Sequence, residues 1–227
     1  MVPVLAGAGS VAAVTAPGWP DDAVALEALQ DRLAAQRPPP WRPAGEPLVA
    51  AVAAADGGAG LVAAAVLARG PRVLAGTTVT GPAPGPYAPS LLALREGPLL
   101  AAAVAALGRR PDVLLVAAAG RDHPRRAGLA LHLGAALDLP SAGVTDRPLV
   151  AVGPEPGPAR GDTAPLLAVG EEVARAVRTA PGVRPVVASA GWRTDPATAA
   201  ALVLSTTAGV RLPEPLRAAR RRAREAR

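Results

Sequence analysis

Two apolar runs, Leu48–Ala55 and Leu61–Leu67, and a third strand-like segment, Arg72–Val79, follow one another with only a few residues between them, and this spacing constrains the fold most. A parallel neighbour needs a crossover of about a dozen residues, so runs this close must pair antiparallel. Asp56-Gly57-Gly58 between the first two is a strong hairpin turn. A helix is expected from about Ser90 to Leu107. Val113–Val116 comes next, apolar at every position, as in the parallel part of a sheet covered on both faces.

The remaining signals extend this pattern. Asp21 or Asp22 caps a helix to about Gln36, with Val24, Leu26, Leu29 and Leu33 as its apolar stripe, and Arg37–Pro43 is a proline-rich connector. Gly128–Leu137 and Pro196–Thr207 read as helices, while Ser141–Val144, Leu149–Val152 and Val183–Ala188 read as strands. Gly81–Pro89 and Pro154–Gly161 are breaker-rich loops. The fold class is α/β: a mixed sheet, three antiparallel strands then parallel ones, with helices on both faces. The length of 227 residues suits one domain of this kind.

Composition excludes several chemistries. There is no cysteine, so no disulfide framework, thiolate metal site or cysteine nucleophile. There is no lysine, so arginine carries all 24 positive charges, and two histidines, His123 and His132, are too few for a histidine-rich metal centre. The net charge of +6 favours polyanionic partners without specifying one. Six arginines fall between Arg217 and Arg227, which reads as a solvated, fraying basic helix. Met1–Pro17 lacks a positive n-region and is interrupted by Pro3, Gly7 and Gly9, so it does not read as a signal peptide. No run approaches the ~20 apolar residues of a membrane span, and a cytoplasmic monomer is expected.

Several short motifs together resemble the endonuclease V family. They are Pro86-Tyr87-Ala88-Pro89, Leu94-Arg95-Glu96-Gly97-Pro98, His123-Pro124-Arg125-Arg126, Gly128-Leu129-Ala130, His132-Leu133-Gly134 and Leu137-Asp138-Leu139-Pro140. Gly143-Val144, Ser189-Ala190-Gly191 and Arg211-Leu212-Pro213-Glu214-Pro215 continue the match in the same order. The resemblance implies an RNase H-like fold and magnesium-dependent cleavage of DNA or RNA near deaminated bases such as inosine. It also divides the chain into an N-terminal extension (1–18), an endonuclease V-like domain (19–216) and a basic tail (217–227).

The resemblance breaks where the chemistry sits. The family's first metal-binding aspartate falls on Ala53 and the aspartate after the fourth strand on Ala117, while the glutamate is retained as Glu96. The family's lysine is Asp146, its late histidine is Trp192, and an aspartate near the C-terminus is Arg220. Glu96 and His123 are therefore the retained catalytic positions. Tyr87 in the wedge loop, Gly120, Arg125 and Arg126 are the expected nucleic-acid contacts, and Ser90 replaces a glycine beside the base pocket. Asp56 and Asp122 are the acids nearest the lost positions. Asp56 lies three residues beyond Ala53, so it points to the opposite face of an extended strand. Magnesium needs convergent oxygens, so the expectation is a degenerate site without the family's Mg2+ and weak, salt-sensitive nucleic-acid binding. The competing expectation is a working nuclease that uses Glu96 with a relocated aspartate.

Overall fold

The computed structural model describes residues 19–58, 60–83 and 88–227. The N-terminal extension and Tyr87 therefore lie outside the described residues. The chain enters through α1 (Ala23–Ala35), capped as expected by Asp22, whose carboxylate accepts from the Ala25 amide at 2.8 Å. Then come β1 (Leu48–Gly57), β2 (Gly60–Arg69), β3 (Arg72–Gly81), α2 (Leu92–Ala105), β4 (Val113–Val116), α3 (Leu129–Leu137) and β5 (Ser141–Thr145). The second part holds β6 (Thr163–Ala168), β7 (Glu171–Val177), β8 (Val186–Ala190), α4 (Pro196–Ser205) and α5 (Glu214–Glu225).

These strands form one mixed sheet in the order β3-β2-β1-β4-β5-β8-β7-β6. β1, β2 and β3 pair antiparallel, and β4 and β5 add parallel to β1, which is the arrangement expected from the spacing of the apolar runs. Even-numbered β1 positions Leu48, Ala50 and Val52 pack against Leu100, Ala101 and Val104 of α2 and Leu129 and Leu133 of α3. Odd-numbered Val49 and Ala51 pack with Val203 of α4 and Leu216 of α5, so helices cover both faces. Among the described residues no helix is long and apolar enough to cross a membrane.

Three expectations need correction. Leu149–Val152 is not a strand and makes only a single bridge, Val152 to Leu167. The strands in that region are β6 and β7, in a stretch beyond the 154–161 loop for which the sequence predicts no element. Their alternation is blurred by Pro165, by Glu171, Glu172 and Arg175, and by the low strand propensity of alanine. Pro165 is tolerated because β6 is an edge strand. The strand placed at Val183–Ala188 runs instead from Val186 to Ala190.

The third correction concerns the basic tail, which is not a solvated helix. α5 starts before it, at Glu214, and buries Ala218, Ala219 and Ala223 against Ala53, Val62, Ala64 and Val66 of β1 and β2. The arginines drew attention to charge, whereas the alanine spacing 218, 219, 223 marks the buried stripe.

Candidate functional site

Ala53 and Ala117 come together. Val52 pairs with Val116 across the parallel β1–β4 ladder, and the Ala117 amide continues it by donating to Val52 O at 3.1 Å. Both side chains join the apolar cluster under α5, where Ala53 is buried. Two carboxylate positions of the expected metal site are thus a patch of methyl groups.

Glu96 lies on α2, on the other face of the sheet. Burial pushes its carboxyl up to about 7, with Arg95 pulling down and Asp56 adding to the rise. Asp56 is on the face opposite Ala53, as the pleat requires, and that is the α2 face. It follows Ala54, which packs with the α2 cluster. Glu96 therefore has a second acid near enough to act on it. The exposed Asp56 carboxylate is ion-paired to the guanidinium of Arg95, which ties the start of α2 to the β1 hairpin.

Asp122 has a different task from metal binding. It is completely buried, and its carboxylate accepts the backbone amides of Leu149 at 2.9 Å, Val150 at 3.0 Å and Ala151 at 2.9 Å. Both oxygens are occupied in fastening the 149–151 segment to the loop after β4. Among the described residues no group of three histidine or acidic side chains converges where it could hold a metal ion. A magnesium ion needs several hard oxygen ligands, so the residues present do not fit one.

The other candidates are placed as structural contacts. The His123 amide donates to Arg121 O, and its imidazole Nδ1 accepts the Arg125 amide at 3.2 Å, leaving Nε2–H for Ser90 O at 3.2 Å. Burial pushes this imidazole below its ordinary range, which favours the neutral ring that the pairing requires. Gly120 is buried: its amide donates to Ser189 Oγ at 2.8 Å, and a Cβ there would collide with the backbone of Ala190. No free amide remains there for a phosphate. Arg125 clasps α1 through Glu27 at 2.6 Å and Asp31 at 3.0 Å. Arg126, with φ +57, donates to Ala168 O and lies 3.8 Å from Glu171. Asp146 pairs with Arg211 at 2.5 Å. Trp192 packs with Leu33, Ala127 and Leu131 between α1 and α3. Ser90 keeps the left-handed backbone that favours glycine, with φ +65.

Two arrangements were not anticipated. Trp19 stacks on His132 with ring centroids 4.5 Å apart and planes 8° from parallel, and the same indole fills the space over Gly97 of α2. The buried Arg121 donates to Ala34 O at 3.3 Å and Gln36 O at 2.8 Å at the end of α1. Burial, then neighbouring Arg37, lowers its guanidinium to about 10. Only the apolar run around His132 hinted at a buried ring; nothing local marks the partners of Arg121.

Comparisons with known proteins agree with these motifs. The family model Endonuclease V matches residues 42–221. An endonuclease V of Streptomyces coelicolor is 43% identical over 208 residues, 89% of this chain and 89% of the relative. The crystal structure of the Streptomyces avermitilis endonuclease V superposes with a TM-score of 0.84 at 40% identity, covering 92% of this chain and 94% of the other. Endonuclease V of Ciona intestinalis, as its D234N variant in complex with a 23mer DNA containing an inosine followed by a ribo-adenosine, has a TM-score of 0.76 at 25% identity. That match covers 89% of this chain and 96% of the other.

Proposed function

The chain belongs to the endonuclease V family, with its RNase H-like fold, and from that premise we propose that it binds nucleic acid but does not cleave it with a metal ion. One observation carries the reading: Ala53 and Ala117, adjacent across β1 and β4, share an apolar cluster where the family resemblance calls for two carboxylates. Metal-assisted phosphodiester cleavage needs ions to hold the phosphate and lower the pKa of the attacking water, and a methyl-lined patch supplies no ligand for them. The basic charge, the DNA-bound state of the Ciona relative and the retained scaffold motifs support binding.

The alternative, a magnesium endonuclease using Glu96 with Asp56, draws on Asp56 lying close enough to raise the Glu96 carboxyl. Against it, Arg95 already neutralises Asp56 and no third ligand converges among the described residues. Labelled inosine-containing DNA and RNA, incubated with Mg2+ or Mn2+, test the reading. Retarded but uncut strands are the expected result. Nicking that disappears in Glu96→Gln would establish the nuclease instead.

A further inference from the structure

α5 carries five arginines against two glutamates, and both glutamates are ion-paired within the helix. Glu214 takes Arg217 at 2.9 Å, and Glu225 lies 3.8 Å from Arg221. Arg224 Nε donates to the backbone carbonyl of Arg220 at 3.2 Å, and Arg222 lies against Gly76 of β3. Arg220 differs from these. It is half-buried, yet its guanidinium has no carboxylate or other acceptor among the described residues.

Its place on the helix says what it borders. Leu216, one turn earlier, is fully buried with Val113 and Leu115 of β4. Ala219 and Ala223 pack on Ala53, and Ala117 at the end of β4 touches both groups. At about 100° per residue, Arg220 lies about 40° round from Leu216, on the β4 flank of α5 rather than on its solvent face. None of its guanidinium nitrogens is fully buried, so the charge is open to a ligand, and no acid among the described residues competes for it. The adjoining alanines bring no negative charge, so this end of the sheet attracts an anion where carboxylates would have attracted a metal.

We propose that Arg220 is a phosphate seat, holding a phosphodiester of a bound strand directly over the Ala53–Ala117 patch with no cation between. The seat rests on the nucleic-acid-binding reading above and adds where and how the backbone is held. A guanidinium presents paired N–H groups that match two phosphate oxygens, and it is charged at every working pH.

Fluorescence anisotropy with a labelled single-stranded inosine oligonucleotide, in EDTA and in Mg2+, tests the seat in the full chain. Equal affinity in both buffers is expected. Arg220→Gln should weaken binding by about tenfold and flatten the slope of log K against log salt by about 0.7, the loss of one single-strand phosphate contact. Arg220→Lys should recover most of that slope. Arg221→Gln, on the solvent face beside Glu225, should leave it within about 0.2 of wild type. Unchanged thermal unfolding of Arg220→Gln excludes a folding defect. Wild-type binding that Arg220→Gln and Arg221→Gln affect alike, or that requires Mg2+, overturns the seat alone. No wild-type binding at low salt overturns the binding reading and the seat with it.

Discussion

His132 offers a direct test of how the α2–α3 side of the fold is held. Its ring is stacked on Trp19, the residue is 1% exposed, and neither ring nitrogen has a hydrogen-bond partner among the described residues. Burial pushes the imidazole from its ordinary 6.5 to about 4. The unfolded ring takes a proton near 6.5 while the folded ring refuses it until about 4. Between those values the unfolded chain binds more protons, so stability rises with pH there. The contribution is fully present above about pH 6.5 and is lost on acidification towards pH 4. The gap, at about 1.4 kcal/mol per pH unit, is worth about 3 kcal/mol in all and about 2 kcal/mol by pH 5.

Glu96 acts with the opposite sign. Its folded carboxyl keeps a proton up to about pH 7 against 4.5 when free, so its contribution is present below about 4.5 and lost as pH rises through 7. The two partly cancel in the wild type, and His123, also lowered, adds to the His132 side. His132→Leu isolates the term, because Glu96 and His123 are common to both proteins. Urea unfolding at pH 7.5 should find the variant within about 1 kcal/mol of wild type, since losing the stack offsets removal of two orphaned nitrogens. At pH 5 the variant should be the more stable by about 2 kcal/mol relative to that baseline. A difference between the two proteins that does not change with pH would refute the buried, neutral ring.

Asp122→Ala leaves three backbone amides without their carboxylate and should cost at least about 3 kcal/mol, with protease cutting between Asp146 and Val152 appearing first; a loss under 1 kcal/mol contradicts the fastening role. Gly97→Ala would drive a methyl into the Trp19 ring, so a cost of about 1–3 kcal/mol and a shift in tryptophan emission are expected; unchanged emission would mean Trp19 does not seat there. Ser90→Gly should raise stability by about 1 kcal/mol in thermal unfolding by relieving the left-handed backbone, and a lower Tm would show that the serine is not strained.

Much of the architecture is legible in the chain because it is written locally. Close apolar runs with an Asp-Gly-Gly turn leave only antiparallel pairing for β1, β2 and β3, and an entirely apolar Val113–Val116 leaves only a covered strand. The identities at Ala53 and Ala117 likewise bound the chemistry, since no fold can make a methyl group ligate a metal. Partnership is what the chain alone could not decide. Asp122 looked like a spare acid and is a buried anchor for amides 27 to 29 residues away. Arg125 looked free for phosphate and is clasped by α1. The arginines between Arg217 and Arg227 read as a solvated helix, yet its alanine stripe is buried and fills the patch beside Ala53. In each case the deciding contact joins residues far apart in sequence. Where alanine occupies both core and surface, periodicity carries little information, and only the packed sheet shows which methyl groups and charges have lost their water.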